Sequence, residues 1–245
     1  MVIKKTNIAV ILTCYNRKDK TLTCLHSLET STQKASASFE IFLVDDGSTD
    51  GTSVAVKKEF PAIHIIPGNG NLFWNRGMHL AWEIAAKQKD FDFYLWLNDD
   101  VKLFPDALET LLNAAKQHTD SIITGTMQSK RSGKITYGGF NEDDKLIVPG
   151  GMTTKCKKFH GNLVLVPNSA YLKLGNLDPF YIHAIGDFDY SLRAYKHGIM
   201  SYVASAVTGY CEEHERLPLW CLPETPLKQR LKTLYSPLGN SHPRY

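Results

Sequence analysis

Long apolar runs are missing from this 245-residue sequence: none approaches the ~20 residues that a membrane-spanning helix needs, so any membrane contact is peripheral. An excess of one charge is missing too. Lys and Arg number 28 against 25 Asp and Glu, a formal +3, and no basic run of the kind that follows a phosphate backbone occurs. Nucleic acid is therefore not an expected partner. Cysteine is sparse and unpaired in pattern: Cys14, Cys24, Cys156, Cys211 and Cys221 are odd in number, scattered, and include no Cys-x-x-Cys. That excludes a disulfide frame or a zinc ribbon and points to reduced thiols in the cytoplasm. Repeats, low-complexity tracts and a linker that would split the chain are also absent. Lys4 and Lys5 precede the apolar Ile8 to Leu12, but that stretch is too short for a signal peptide and no small-residue cleavage site follows. It reads as a first buried strand.

What is present is alternation. Ile8 to Thr13 is apolar on both faces, as a central parallel strand is. A helix is expected over Lys18 to Thr30, a strand over Phe39 to Val44, a helix over Ser53 to Phe60 and a strand over Ile63 to Ile66. The Gly- and Asn-rich stretch Pro67 to Gly77 reads as an unusual loop leading to a helix from Met78 to Lys87. A strand from Phe93, a helix over Pro105 to Gln117 and a strand over Ile122 to Met127 close this half. The order βαβαβ implies an α/β fold with a mostly parallel sheet between helices. Beyond Gln128 the texture becomes that of a smaller mixed β region, with a strand over Phe159 to Val166, a short helix over Ser169 to Leu174, a helix through Tyr195 and a last strand over Met200 to Val207. The expected division is one domain over 1–215, in two halves of 1–127 and 128–215, with 216–245 as a proline-broken, mildly basic extension.

Several of these strands stop at acids. Phe93 to Leu97 runs into Asn98-Asp99-Asp100, and Phe39 to Val44 into Asp45-Asp46-Gly47-Ser48. In an open α/β sheet, ligands sit outside the carboxyl ends of the strands, so both pairs face one crevice. Adjacent carboxylates need a compensating cation, and hard oxygen ligands on a wet ledge suit Mg²⁺ or Mn²⁺ bridging a diphosphate. Each pair alone reads equally as a polar turn or a helix cap, a role that fits Ser48 or Asp50. A carboxylate can also accept the N3 proton of a pyrimidine, for which Asp46 is the candidate. Asp187 and Asp189 either start a helix or supply a general base.

In chain order, Ile8-Ala9-Val10-Ile11-Leu12-Thr13-Cys14-Tyr15-Asn16-Arg17, Leu43-Val44-Asp45-Asp46-Gly47-Ser48-Thr49-Asp50-Gly51-Thr52, Asn98-Asp99-Asp100 and Gly186-Asp187-Phe188-Asp189-Tyr190-Ser191-Leu192-Arg193 resemble the signature of family 2 glycosyltransferases with the GT-A fold. The resemblance spans about Ile8 to His214. It implies an inverting enzyme that moves a hexose or deoxyhexose from a UDP- or dTDP-sugar to a glycan or lipid-linked acceptor, as in cell-surface polysaccharide synthesis. It further implies a cytoplasmic location, at most peripheral to the inner face of the membrane. Thr13, Tyr15 and Arg17 then border the nucleotide, Asp46 meets the uracil or thymine, Asp99 the ribose and Asp100 the Mg²⁺ or Mn²⁺. Asp187 is the catalytic base, and His214 resembles a histidine that completes the metal site. Asn71 and Arg76 border the donor diphosphate and sugar, and Trp74 packs on the sugar or on the core. Gly186 departs from the pattern, since many members carry Glu or Asp there. The alternatives are a non-catalytic nucleotide-sugar-binding module and a sugar nucleotidyltransferase, which would show a glycine-rich basic loop where Thr13-Cys14-Tyr15-Asn16 stands.

Overall fold

A computed structural model describes residues 5–213 and 218–238. The strands β1 (Thr6–Cys14), β2 (Ala37–Asp45) and β3 (His64–Pro67) alternate with helices α1 (Lys18–Thr32) and α2 (Thr52–Glu59). Helix α3 (Phe73–Gln88), strands β4 (Phe93–Leu97) and β5 (Lys102–Leu103), helix α4 (Ala107–Gln117) and strand β6 (Ile122–Gln128) follow. Then come the short strands β7 (Ile135–Tyr137), β8 (Gly139–Phe140), β9 (Thr154–Cys156) and β10 (Lys158–Phe159). Strand β11 (Leu163–Pro167), helices α5 (Asn168–Leu174) and α6 (Gly186–Lys196), strand β12 (Ser201–Tyr210) and helix α7 (Leu227–Leu234) complete the chain.

The main sheet runs β3-β2-β1-β4-β11-β6-β12-β5. Strands β3, β2, β1 and β4 are parallel, and β12 is parallel to β6; β11 lies antiparallel to both β4 and β6. The chain winds outward from β1 to β3, then returns to lay β4 on the other side of β1. That reversal is a topological switch point, with its crevice at the carboxyl ends of β1, β2 and β4. Strand alternation serves two layers. Ile8, Val10 and Leu12 face Leu25 and Leu28 of α1 and the layer of α4, while Ala9 and Ile11 face Trp82 of α3 and the layer of α6. Both faces of these strands are covered, which is why they read as unbroken apolar runs. Trp82 stands at the centre of the second layer, its ring 5.1–5.5 Å from those of Tyr94, Trp96, Tyr171 and Tyr190. Tyr190 belongs to α6, so this aromatic cluster fixes that helix to the sheet.

Two expectations are corrected. Helix α3 begins at Phe73, inside the stretch read as loop, because its first N–H groups are capped from a distant strand end. The single strand expected over Phe159 to Val166 is two, β10 and β11, broken at His160-Gly161-Asn162. Among the described residues no helix is long and apolar enough to cross a membrane.

Candidate active site

The loops after β1 and β2 are laced together. Asn16 sits at φ 50°, its N–H donates to Ser48 Oγ at 2.9 Å, and Thr49 N–H donates to Asn16 Oδ1 at 2.7 Å. Asp50 accepts from the N–H of Lys18 and of Thr52, so one carboxylate caps the starts of α1 and α2 together. Tyr15 stands exposed at this rim.

Asp46, the residue expected at the nucleobase, has its carboxylate engaged by backbone N–H groups. Only 3 % exposed, it accepts from Gly70 N–H through Oδ1 (2.8 Å) and from the N–H groups of Leu72 and Phe73 through Oδ2 (2.9 Å each). It is the missing N-cap of α3, reaching from the end of β2. Phe73 is held there at φ 56°, a conformation rare for a bulky residue. Thr13 is buried at the end of β1 against α3, where a Cβ on Gly77 would fall 2.9 Å from Thr13 Cβ. Asn71 is exposed and bonds locally to Asn69. Arg76 donates from Nε to Pro179 O at 2.9 Å, tying α3 to the 178–185 segment.

At the end of β4, Arg17 Nη1 lies 3.0 Å from Asp99 Oδ1 and 3.1 Å from Asp100 Oδ2. Asp99 is 6 % exposed, and burial, reinforced by Asp100 and opposed by Arg17, raises its carboxyl to about 6. Asp99, the residue expected at the ribose, is buried behind Arg17, whereas Asp100 keeps a quarter of its side chain exposed. Cys211 Sγ lies 3.6 Å from Asp100 Oδ1 and 3.6 Å from Asn162 Nδ2; burial and the Asp100 charge push its thiol upward, keeping it a neutral donor. Arg17 shows that the acid pair draws a cation. The same pair suits a hard divalent ion that keeps water and phosphate oxygens as its remaining ligands. Among the described residues no group of three or more His, Cys, Asp and Glu could enclose a metal, and His214 lies outside the described residues.

Asp187 opens α6. Its Oδ1 accepts from its neighbour Phe188 N–H (2.9 Å) and its Oδ2 from Gly161 N–H (2.8 Å). Burial outweighs these two bonds and lifts its carboxyl to about 6. Asp189, the second candidate base, is occupied by Arg193 Nε at 2.8 Å. Gly161 joins Asp187 to the acid pair. It precedes β11, whose start abuts the end of β4, so Asn98 N–H donates to Asn162 O at 3.0 Å. Trp74 closes the frame: its Nε1 donates to Asn98 Oδ1 at 2.7 Å, and its ring fills the place a Cβ on Gly161 would take, 2.6 Å from Cζ2.

The departure at Gly186 has a cause. A Cβ there would lie 2.5 Å from Asn75 Cγ and nearer still to Asn75 Oδ1. Asn75 is fully buried and its Nδ2 bonds Asp178 O and Tyr181 O at 2.7 and 2.8 Å. Residue 185, an isoleucine at φ 74°, adds strain at the same corner. Sequence reasoning missed Gly161, Asn75 and Cys211 as parts of this site. Only Gly161 left a signal, as a glycine interrupting an apolar run.

Residues 9–172 match the family described as Glycosyl transferase family 2. A relative from Haemophilus influenzae, named an uncharacterized glycosyltransferase, is 24% identical over 215 residues, covering 85% of this chain and 69% of its own. The N-acetylglucosaminyl-diphospho-decaprenol L-rhamnosyltransferase of Mycobacterium tuberculosis is 26% identical over 223 residues, covering 78% and 71%. The mannosyltransferase PcManGT of Pyrobaculum calidifontis, solved with GDP-Man and Mn²⁺, superimposes with a TM-score of 0.62 at 19% identity. That match covers 86% of this chain and 58% of the mannosyltransferase, so the chain spans little more than half of that structure. The fold, the ordered acidic loops and the matched family agree: this chain belongs to glycosyl transferase family 2 and is a glycosyltransferase with the GT-A fold.

Proposed function

We propose that the chain is an inverting transferase that moves a hexose or deoxyhexose from a UDP- or dTDP-sugar to a lipid-linked glycan, with Asp187 as the catalytic base. One observation carries the reading. Asp187 is bonded to Gly161 N–H, and the adjacent Asn162 is bonded to Asn98, the residue before Asp99 and Asp100. Base and acid pair thus border one crevice, and a sugar seated between them has its leaving diphosphate on one side and a proton acceptor on the other.

In the proposed step the acceptor hydroxyl oxygen forms a bond to the anomeric carbon while the bond from that carbon to the diphosphate oxygen breaks. The hydroxyl proton passes to Asp187, and the leaving diphosphate departs with the electron pair of the broken bond. A single displacement inverts the anomeric centre. The N–H groups of Gly161 and Phe188 aim the Asp187 carboxylate, and burial tunes it close to neutral pH. Asp100, with Asp99 behind it, is the proposed holder of Mg²⁺ or Mn²⁺, whose charge offsets that of the diphosphate. Trp74 is placed to wall the sugar, and Tyr15 and the loops after β1 and β2 to border the nucleoside. The reading assigns residues 1–127 to the donor and 128–215 to the acceptor. The name of the mycobacterial relative, which specifies a deoxyhexose and a prenyl diphosphate, supports the choice of donor and acceptor class.

The test is transfer and donor hydrolysis with a panel of UDP- and dTDP-sugars in Mn²⁺, using the wild type and Asp187→Asn. The expected result is turnover by the wild type, with donor binding retained and turnover lost in the variant. Turnover at the wild-type rate by Asp187→Asn, or donor binding by the wild type without turnover on any donor and prenyl-linked acceptor, overturns the proposal.

A further inference from the structure

Helix α7 and its flanks hold a concentration of exposed apolar side chains that the site does not use. Leu227, Leu231, Leu234 and Tyr235 follow one another at i, i+4, i+7 and i+8 and share one face. On a helix packed into a protein this face is covered, yet here Leu227 is 68 % and Tyr235 58 % exposed, and Leu231 and the following Leu238 are exposed as well. Leu219, on the single 3-10 turn that contacts α7, is exposed too. Lys228 and Lys232 line one margin of the apolar face and Arg230 the other. Arg230 is fixed by a bond from Nε to Trp220 O at 3.0 Å, which seats α7 on that turn. Between residues 218 and 238 the only acid is Glu224.

We propose that this face is a docking surface for an anionic lipid bilayer. An apolar stripe with lysines at its margin matches a lipid surface on two counts. The leucines enter the boundary between headgroups and acyl chains, and the lysine stems run along the apolar face with their ammonium groups among the phosphates. A second copy of the chain would bring the same positive margin against itself. With eight residues and three basic groups the helix makes a weak, reversible contact rather than an anchor. The inference deepens the proposed function, since a prenyl-linked acceptor is presented at a membrane surface, but its test involves no catalysis.

The full chain is sedimented with vesicles of phosphatidylcholine alone or with about 30 mol% phosphatidylglycerol, the anionic component being the variable. Binding is expected only to the anionic vesicles, and to be lost at high salt. Lys228→Gln/Lys232→Gln is expected to weaken it about 25-fold, near fivefold for each lysine at an anionic surface. Leu227→Ser/Leu231→Ser is expected to weaken it at least tenfold. Both pairs are solvent-facing, so their melting temperatures should match that of the wild type. Absence of wild-type binding to anionic vesicles, or binding that both variants retain, overturns the proposal. So does a concentration-dependent dimer that the leucine pair dissolves while vesicle binding stays unchanged, which assigns the face to a second copy. None of these outcomes alters the reading of Asp187, which is tested by turnover on donor.

Discussion

Placing an alanine at position 186 would force a choice between two buried groups. The new methyl carbon falls 2.5 Å from Asn75 Cγ and 3.3 Å from Nδ2, and closer to Oδ1 than any real contact. Asn75 has no route away. It is fully buried in the first turn of α3, and its Nδ2 is held by the carbonyls of Asp178 and Tyr181. Overpacking costs about 1–3 kcal/mol, and losing two amide hydrogen bonds about 1 kcal/mol each, so Gly186→Ala is expected to destabilise by about 3–5 kcal/mol. Asn75→Ala alone forfeits the same two bonds and leaves a small void, costing about 2–4 kcal/mol. The double variant has no clash left and should cost no more than Asn75→Ala, a non-additivity of about 3–5 kcal/mol. Urea unfolding of the four proteins, with a constant slope as the check on two-state behaviour, measures it. Additivity within about 0.5 kcal/mol, or a Gly186→Ala protein as stable as the wild type, refutes the account of why this chain has glycine before its candidate base.

Four further expectations follow from the same geometry. Asp187 acts ionised and burial raises its pKa to about 6, so kcat/KM should fall as the pH drops below about 6; a profile flat down to pH 4 contradicts the assignment. The same shift has the opposite sign for stability. Raised from the usual 3.8, the carboxyl favours the fold when protonated, and that support is lost as the pH rises through about 6. Asp187→Asn should therefore melt above the wild type at pH 7.5, with the gap narrowing at pH 4.5. Removing the Asp46 carboxylate strips acceptors from Gly70, Leu72 and Phe73, so Asp46→Ala should cost about 3–4 kcal/mol by urea unfolding, with Asp46→Asn less damaging; a cost under about 1 kcal/mol would remove the cap from the explanation of α3. Arg17→Ala leaves Asp99 and Asp100 facing each other. With Arg17 partly exposed the loss should be about 1–3 kcal/mol, and millimolar Mn²⁺ should raise the melting point of the variant more than that of the wild type.

The first half of the chain was legible because its signals are local. Apolar runs covered on both sides name β1, β2 and β4, and each ends in polar residues where the strand meets solvent. What could not be read depends on pairing at long range. The start of α3 is set by Asp46, more than twenty residues earlier, so nothing around Phe73 marks it as a helical position. Asp46 looked like a ligand group for the same reason: a carboxylate at a strand end has one appearance in sequence whether it meets a base or caps a helix. The environment of Asp187 was hidden because β11 enters beside β4 in the opposite direction, bringing Gly161 next to Asn98 across more than sixty residues. Arg17 was read as a nucleotide neighbour, and its grip on both Asp99 and Asp100 appears only once β1 and β4 are seen side by side.

The antiparallel course of β11 also decides where this protein can change. Strand β6 ends at the crevice and β11 begins there; between them β7 pairs with β6 and β9 with β12, so the longer connections outside any strand are 129–134 and 141–153. Those two connections can be lengthened, shortened or replaced while the hydrogen-bond register around them stays put. Variation is thereby confined to those connections, with Gly161 and Asn162 kept as the fixed hem of the crevice.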